Sequence, residues 1–379
     1  MTIAIIDAEL IAGKRHRFPN LCSMKISAYH KSKGDTVYLK TEYENLENFD
    51  KVYISKVFTK TEVPEAVLNM PNVQYGGTGF YYDEAEPLPD EIEHIMPDYH
   101  LYDEWVQERL KNGGKPKEYA YYTDYSIGYM TRGCFRKCDF CVNKKYSSAK
   151  PHSPLAEFYD PTRKKICLLD DNFLACPKWR ELLADLQSVK KPFQFKQGLD
   201  ERLLTEEKCE ALFKSIYDGD WIFAFDNIAD REIIEEKAHM IRRYRKEKGH
   251  HIKFYVLCGF DRNGIYDDAF WKQDILDTFE RIVILSKYNF KPYIMRFEKA
   301  YETKWKGVYI AIAAWCNQPV MFSGNSFRKF CEHMDDYLTN GKRTCSTWRY
   351  FTGLLKDLPE SEKYVDIIPN DIRLDYSEW

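Results

Sequence analysis

The sequence has no run of eighteen apolar residues, so no segment is expected to cross a membrane as a helix. It also lacks the order of a secretory leader. In MTIAIIDAELIAGKRHRF the apolar stretch comes first and the charges follow. Net charge is nearly absent: 56 basic residues face 59 acidic ones, a balance of −3. That excludes a chain whose main business is wrapping nucleic acid, while leaving room for a local basic patch. A cytoplasmic location is the expectation from these absences. There the eleven cysteines do not form a disulfide framework, because reducing compartments keep thiols free. What is present in quantity is core-forming material. Apolar residues make up 44% and aromatics 16% of 379 residues, enough for two or three compact units.

The first 115 residues read as a small Rossmann-like α/β domain. An apolar strand at Ile3–Ile6 leads into a helix-like segment, Leu21–Lys33, which stops at Gly34. Further strands are expected at Thr36–Leu39 and Lys51–Val57, a spacing that favours parallel pairing. A stretch rich in Gly, Pro and acidic residues from Gly76 to Tyr102 follows, and KNGGKPK (Lys111–Lys117) reads as a linker. From 116 to 300 the pattern is a regular alternation. Strands are expected at Tyr125–Met130, Ile166–Leu169, Phe193–Lys196, Trp221–Phe225, Ile252–Leu257 and Pro292–Arg296. Amphipathic helices fall at Lys178–Val189, Thr205–Ile216, Arg231–Lys248 and Asp268–Tyr288. This succession suggests an α/β fold built as a partial (β/α)6 TIM-type barrel. Residues 301–379 form a C-terminal extension without repeats, holding a strand or helix at Val308–Trp315 and two further helices.

The sharpest feature is GYMTRGCFRKCDFC, which sets Cys134, Cys138 and Cys141 in a C-x3-C-x2-C array. Three cysteines at fixed offsets arise by chance about 0.01 times in a chain of this composition. The array follows the first barrel strand directly, at the end where barrel enzymes keep their chemistry. Three thiolates hold three irons of a cubane cluster and leave the fourth open to a ligand. The bland alternative is a non-catalytic zinc- or cluster-binding module, with His152, eleven residues past Cys141, as the nearest downstream histidine for a fourth zinc ligand.

The array, with Phe140 just before its last cysteine, resembles that of the radical S-adenosylmethionine superfamily. The resemblance covers residues 120–300 and, more loosely, the first hundred. It implies a 4Fe–4S cluster on Cys134, Cys138 and Cys141 whose open iron chelates S-adenosylmethionine. Reductive cleavage would then give a 5′-deoxyadenosyl radical that abstracts hydrogen from the substrate. A one-electron donor such as a flavodoxin or ferredoxin is implied as partner. LLDDNF puts Asp170, Asp171 and Asn172 where the superfamily has a motif that binds the amino group of S-adenosylmethionine. Carboxylates suit an ammonium, and the competing role is a helix N-cap. The Asp-Asp-x-Phe form looks like that of the branch with an N-terminal cobalamin-binding domain.

Later strand ends supply further candidates. FKQGLDERL offers Lys196, Gln197, Asp200 and Arg202, and FAFDN offers Asp226 and Asn227 for ribose hydroxyls or, equally, for a capped turn. In VLCGFD, Leu257 is placed to pack on adenine and Gly259 to let the backbone approach it. Arg296, in YIMRF, suits a carboxylate or phosphate, or a structural ion pair. Cys258 reads as a small buried hydrophobe, and Cys316, Cys331 and Cys345 are too widely spaced for a second cluster motif. The basic run Ile241–Lys253 falls at the opposite end of the barrel from the triad and is discounted as a nucleic-acid surface. The loop Gly13–Asn20 binds an anionic group, closes over the barrel mouth, or is simply solvated. In the cobalamin branch a histidine after the first strand is the lower cobalt ligand. Here Asp7 begins that pattern but Glu9 replaces the histidine and Ala12 the glycine, so cobalamin is not expected. The substrate is not legible: RNA, a peptide and a small molecule all stay open.

Overall fold

The computed structural model describes residues 1–13, 18–245, 252–339, 347–376 and 379, the side chains of 336–339 excepted. It is a mixed α/β protein with parallel sheets. Two compact units divide it: residues 1–197 with 216–218, and residues 198–215 with 219–379. No helix among the described residues is long and apolar enough to cross a membrane.

The first unit opens on β1 (Thr2–Asp7), whose residues from Ile3 onward are all buried. Burial on both faces is what a central parallel strand requires, and it explains the unbroken apolar run. Helix α1 (Leu21–Ser32) starts where the Asn20 side chain accepts the Ser23 N–H. Strands β2 (Thr36–Lys40), β3 (Lys51–Ser55) and β4 (Val73–Gly76) complete a four-stranded parallel sheet in the order β2-β1-β3-β4. β4 falls in a stretch with no strand in its sequence pattern. Its four residues are exposed or half-buried, so they carry no apolar run.

The Gly- and Pro-rich stretch and the expected linker are packed into this unit. Tyr99, Tyr102 and Trp105, the last on α2 (Asp103–Lys111), join Tyr119 and Tyr122 in a core with Ile3, Ile5 and Met24. Gly114 lies so close to Tyr119 that a Cβ there would stand 2.7 Å from its ring. The Tyr99 hydroxyl donates to Phe158 O at 2.6 Å and accepts the Ile127 N–H at 2.8 Å. Those bonds tie the stretch to the next sheet, and the boundary expected near residue 115 lies inside the unit. That sheet is built from β5 (Tyr125–Gly128), β8 (Lys165–Leu168) and β9 (Phe193–Phe195); between β5 and β8 the chain forms a separate antiparallel ladder of β6 (Thr131–Arg132) with β7 (Lys150–Pro151), and α3 (Trp179–Ser188) lies between β8 and β9. β5, β8 and β9 pair parallel in that order.

The second unit carries α4 (Glu206–Phe213), β10 (Trp221–Ala224), α5 (Arg231–Tyr244), β11 (Ile252–Cys258), α6 (Asp268–Lys287) and β12 (Lys291–Arg296). Its three strands pair parallel in the order β10-β11-β12. Ile252, Phe254, Val256 and Cys258 alternate inward along β11. Arg281 of α6 is fully buried, and its guanidinium donates to the carbonyls of Phe225, Asp226 and Leu257 at 3.0, 2.8 and 2.8 Å. A cation thereby satisfies three strand-end acceptors that would otherwise be orphaned. Val308–Trp315, ambiguous between strand and helix by pattern, lies in α7 (Lys306–Cys316). The edge of β12 is met by Asn317, whose amide accepts the Ile294 N–H and donates to its carbonyl. Helices α8 (Pro319–Gly324), α9 (Phe327–Thr339) and α10 (Thr347–Asp357) follow.

Candidate functional site

The cysteine array sits on the loop after β5. Gly128 ends that strand with its Cα against the Phe158 ring, where a Cβ would stand 2.3 Å from the nearest carbon. The β6/β7 ladder pairs Thr131 with Pro151 and Arg132 with Lys150, closing the loop 133–149 at its base. Gly133 opens it at φ +94°, and a Cβ there would lie 2.4 Å from Ser148 O. Only glycine meets both demands. Across the loop, the Lys137 ammonium binds the carbonyls of Lys144 and Tyr146.

The three consecutive polar residues after β8 all reach this loop. Asp170 is buried, and its carboxylate accepts the Met130 N–H at 3.2 Å and both the N–H and hydroxyl of Thr131 at 2.6 Å. Asp171 accepts the Gly133 N–H at 2.7 Å on one oxygen and the Asn143 amide at 2.7 Å on the other. It therefore grips the loop one residue before Cys134 and two after Cys141. The Asn172 amide donates to the Cys134 sulphur at 3.3 Å. None of the three caps a helix with its side chain: they brace the cysteine loop. Burial pushes the Asp170 carboxyl up to about 7, against the pull of its three donors.

Cys134, Cys138 and Cys141 are all half-buried and free of disulfides. Backbone N–H groups two residues on donate to two of the sulphurs, Arg136 to Cys134 and Asn143 to Cys141, each at 3.4 Å. The Asn143 N–H favours the Cys141 thiolate. Burial works against it and pushes the Cys141 thiol up. Among the described residues, no group of three or more His, Cys, Asp or Glu is gathered closely enough to hold a metal ion. Thiolates with N–H donors are nonetheless the ligand chemistry that iron–sulphur clusters use, so the donor set fits. The zinc reading is less well served. The His152 ring bonds Ser153, lies 3.5 Å from Glu93 and stacks on His94.

Residues expected to share one site divide between the units. Phe140 lies half-buried on the cysteine loop, and Gln197 is exposed just past β9. Lys196 donates to the Tyr121 hydroxyl at 2.8 Å. The others lie in the second unit, Asp200 and Arg202 at its start and Asp226, Asn227, Leu257, Gly259 and Arg296 at the C-terminal ends of its strands. Arg202 bridges Asp200 and Asp230. Asp226 accepts the Leu257 N–H at 3.1 Å and Asn227 that of Ala229 at 2.9 Å, so Asn227 caps a turn. Gly259 has φ +76°, donates its N–H to Asp274, and packs its Cα face on Ala300. That packing, with the turn, accounts for glycine there. Leu257 is half-buried, and Arg296 lies over the Tyr301 ring at 5.0 Å.

The remaining cysteines follow their sequence reading. Cys258, Cys316 and Cys331 are buried and have their thiols pushed up by burial; Cys345 lies outside the described residues. Outside them too are 14–17 of the Gly13–Asn20 loop and 246–251 of the basic run. In the first sheet Asp7 accepts the Tyr102 hydroxyl, and Glu9 turns inward to accept the Val57 and Phe58 N–H groups at 3.0 and 3.1 Å. Sequence reading overlooked Gly133, Thr131 and Asn143. The signals were small: a glycine directly before the first cysteine and an asparagine two after the last. No protein-family model matches the chain.

Proposed function

We propose that this protein is a radical S-adenosylmethionine enzyme acting on a substrate still to be identified. The observation that carries the reading is the pairing of the C-x3-C-x2-C loop after β5 with the Asp170–Asp171–Asn172 brace after the neighbouring parallel strand β8. A site that must bind a cluster and a charged cofactor together needs its ligand loop held before either arrives. Cys134, Cys138 and Cys141 would hold the 4Fe–4S cluster, and Phe140 would line it. When bound, the cluster supplies the single electron for homolysis of S-adenosylmethionine. The chain's part is to fix the loop: Asp171 spans it, Asp170 anchors Met130 and Thr131, and Asn172 donates to the Cys134 sulphur. With three hydrogen bonds on Asp170 and two on Asp171, Asp171 keeps more acceptor capacity for the cofactor's ammonium, beside backbone acceptors.

The finer fold belongs to the same proposal. A partial (β/α)6 barrel takes the two parallel triplets, β5-β8-β9 and β10-β11-β12, as six consecutive staves.

The test is anaerobic reconstitution with iron and sulphide, followed by dithionite-dependent release of 5′-deoxyadenosine. The wild type is expected to bind about four irons and release the nucleoside, and Cys138→Ala to lose both. Retained cleavage in that variant, or a wild type that takes up no iron and sulphide, would sink the proposal. Stoichiometric zinc with no cleavage would favour the binding-module reading.

A further inference from the structure

In the first sheet the chain crosses from β1 to β2 on one side of it, then passes to β3 on the other. Ligands of open parallel sheets collect at such a switch point, outside the carboxyl ends of the strands. Lys56 stands there, directly after β3. It is only 9% exposed, and its ammonium makes no ion pair or hydrogen bond with any described residue. Lys25, the other buried lysine of this unit, is paired with Glu93 at 2.8 Å. The acids nearest in the fold are turned elsewhere: Asp7 to the Tyr102 hydroxyl, and Glu9 to the Val57 and Phe58 N–H groups. What holds Lys56 is apolar. Its stem lies under the turn after β4, where a Cβ on Gly79 would stand 2.7 Å from its Cγ and one on Gly77 would strike its carbonyl. Its ammonium rests over the Phe80 ring, 4.3 Å from the centroid. The exposed rings of Tyr75 and Tyr81 flank Phe80 at 4.8 and 6.2 Å. Beside them the Gly77 N–H bonds no described residue.

We infer that Lys56 anchors a binding site for a small phosphate ester carrying a flat ring, the chemistry of a mononucleotide. A cation this far out of water is normally paired, because an unpaired one is costly. The Phe80 ring offsets part of that cost, and an anion supplies the rest. The ammonium takes the phosphate as a point charge, with the Gly77 N–H as a further donor. The exposed tyrosine faces offer the ring a surface to stack on. Charge selects a small ligand over a nucleic acid. From Val57 to Glu93 the chain carries eight acidic residues against one basic, Lys60, a surround that repels a polyanion. This site is independent of the chemistry proposed for the cysteines.

The test is calorimetric titration of the full chain with AMP, inorganic phosphate and adenosine. AMP should bind most tightly, phosphate less so, and adenosine weakest of the three. Lys56→Met keeps the stem under Gly79 and should weaken AMP by about tenfold or more. Tyr81→Ala should remove the advantage of AMP over phosphate while leaving phosphate binding in place. In the wild type, labelling of Lys56 by an amine-reactive reagent, mapped by mass spectrometry, should slow with AMP and not with adenosine. No AMP binding, equal affinity in wild type and Lys56→Met, or Lys56 labelling that AMP leaves unchanged would each overturn the inference. So would a single-stranded RNA that binds far more tightly than AMP and loses that binding in Lys56→Met, which would assign the site to nucleic acid.

Discussion

Replacing Asp171 by alanine removes two hydrogen bonds that hold the cysteine loop from both sides, at Gly133 N–H and at the Asn143 amide. A hydrogen bond to a charged acceptor contributes about 1.5–3 kcal/mol, and less where the site is half-exposed as here. Taking about 2 kcal/mol for the pair, the population of loop-open molecules rises about 30-fold, since 1.4 kcal/mol is one decade. Amide hydrogen exchange followed by mass spectrometry on a peptide spanning 130–143 reads this directly. Exchange there should quicken about 30-fold while peptides from β1 and β11 stay unchanged. Asp171→Asn keeps an acceptor for Gly133 and lets the Asn143 amide rotate to meet the new NH2, so it should recover most of the protection. Iron retained after a chelator challenge should fall in the same order: wild type, Asn, Ala. Unchanged exchange across 130–143 in the alanine variant would refute the bracing role. Lost S-adenosylmethionine affinity with an intact loop would reassign Asp171 to ligand binding alone.

Three further outcomes follow from the geometry. Gly133→Ala forces a Cβ to 2.4 Å from Ser148 O at φ +94°, so chemical denaturation should show a loss of about 2–4 kcal/mol or a protein that fails to hold iron. Arg281→Met strips the donor from three strand-end carbonyls, and a loss of about 3 kcal/mol or more is expected in urea titration, with Arg281→Lys recovering only part of it because the ammonium lacks the Nε and Nη2 donors that bond Asp277 O and the Thr278 hydroxyl. Asp170 gives a pH signature. Its folded pKa, raised by burial to about 7 from 3.8, means the native state binds the proton more tightly than the unfolded chain. Stability is then fullest below pH 4 and declines as pH rises through about 7, by up to about 4 kcal/mol in total. Urea midpoints of wild type should fall between pH 5 and 8, while Asp170→Asn, less stable throughout, should lack that decline. Parallel curves for the two proteins would contradict it.

The parts of this molecule that follow local rules were legible in the sequence. β1, β8, β10 and β11 appear as short apolar runs, and α5 and α6 as segments of helical period, because burial periodicity is written within each element. The cysteine array is legible for the same reason: its three thiols lie within eight residues. β4 was not, since a half-exposed edge strand needs no apolar run. Nor was the packing of Tyr99, Tyr102 and Trp105 against β1, where tyrosines in a Gly- and Pro-rich stretch look like loop until a partner sheet is present.

What the sequence determined by itself is the order of strands and helices and the presence of a thiol triad after β5. What tertiary structure alone decided is the work of Asp170, Asp171 and Asn172. Their partners lie about forty residues upstream, and a carboxylate's role as cap, ligand or brace depends on which donors the β5–β8 pairing delivers to it. Spacing encodes contacts within a turn or a strand; parallel pairing across a long connection is settled by burial of both strands at once.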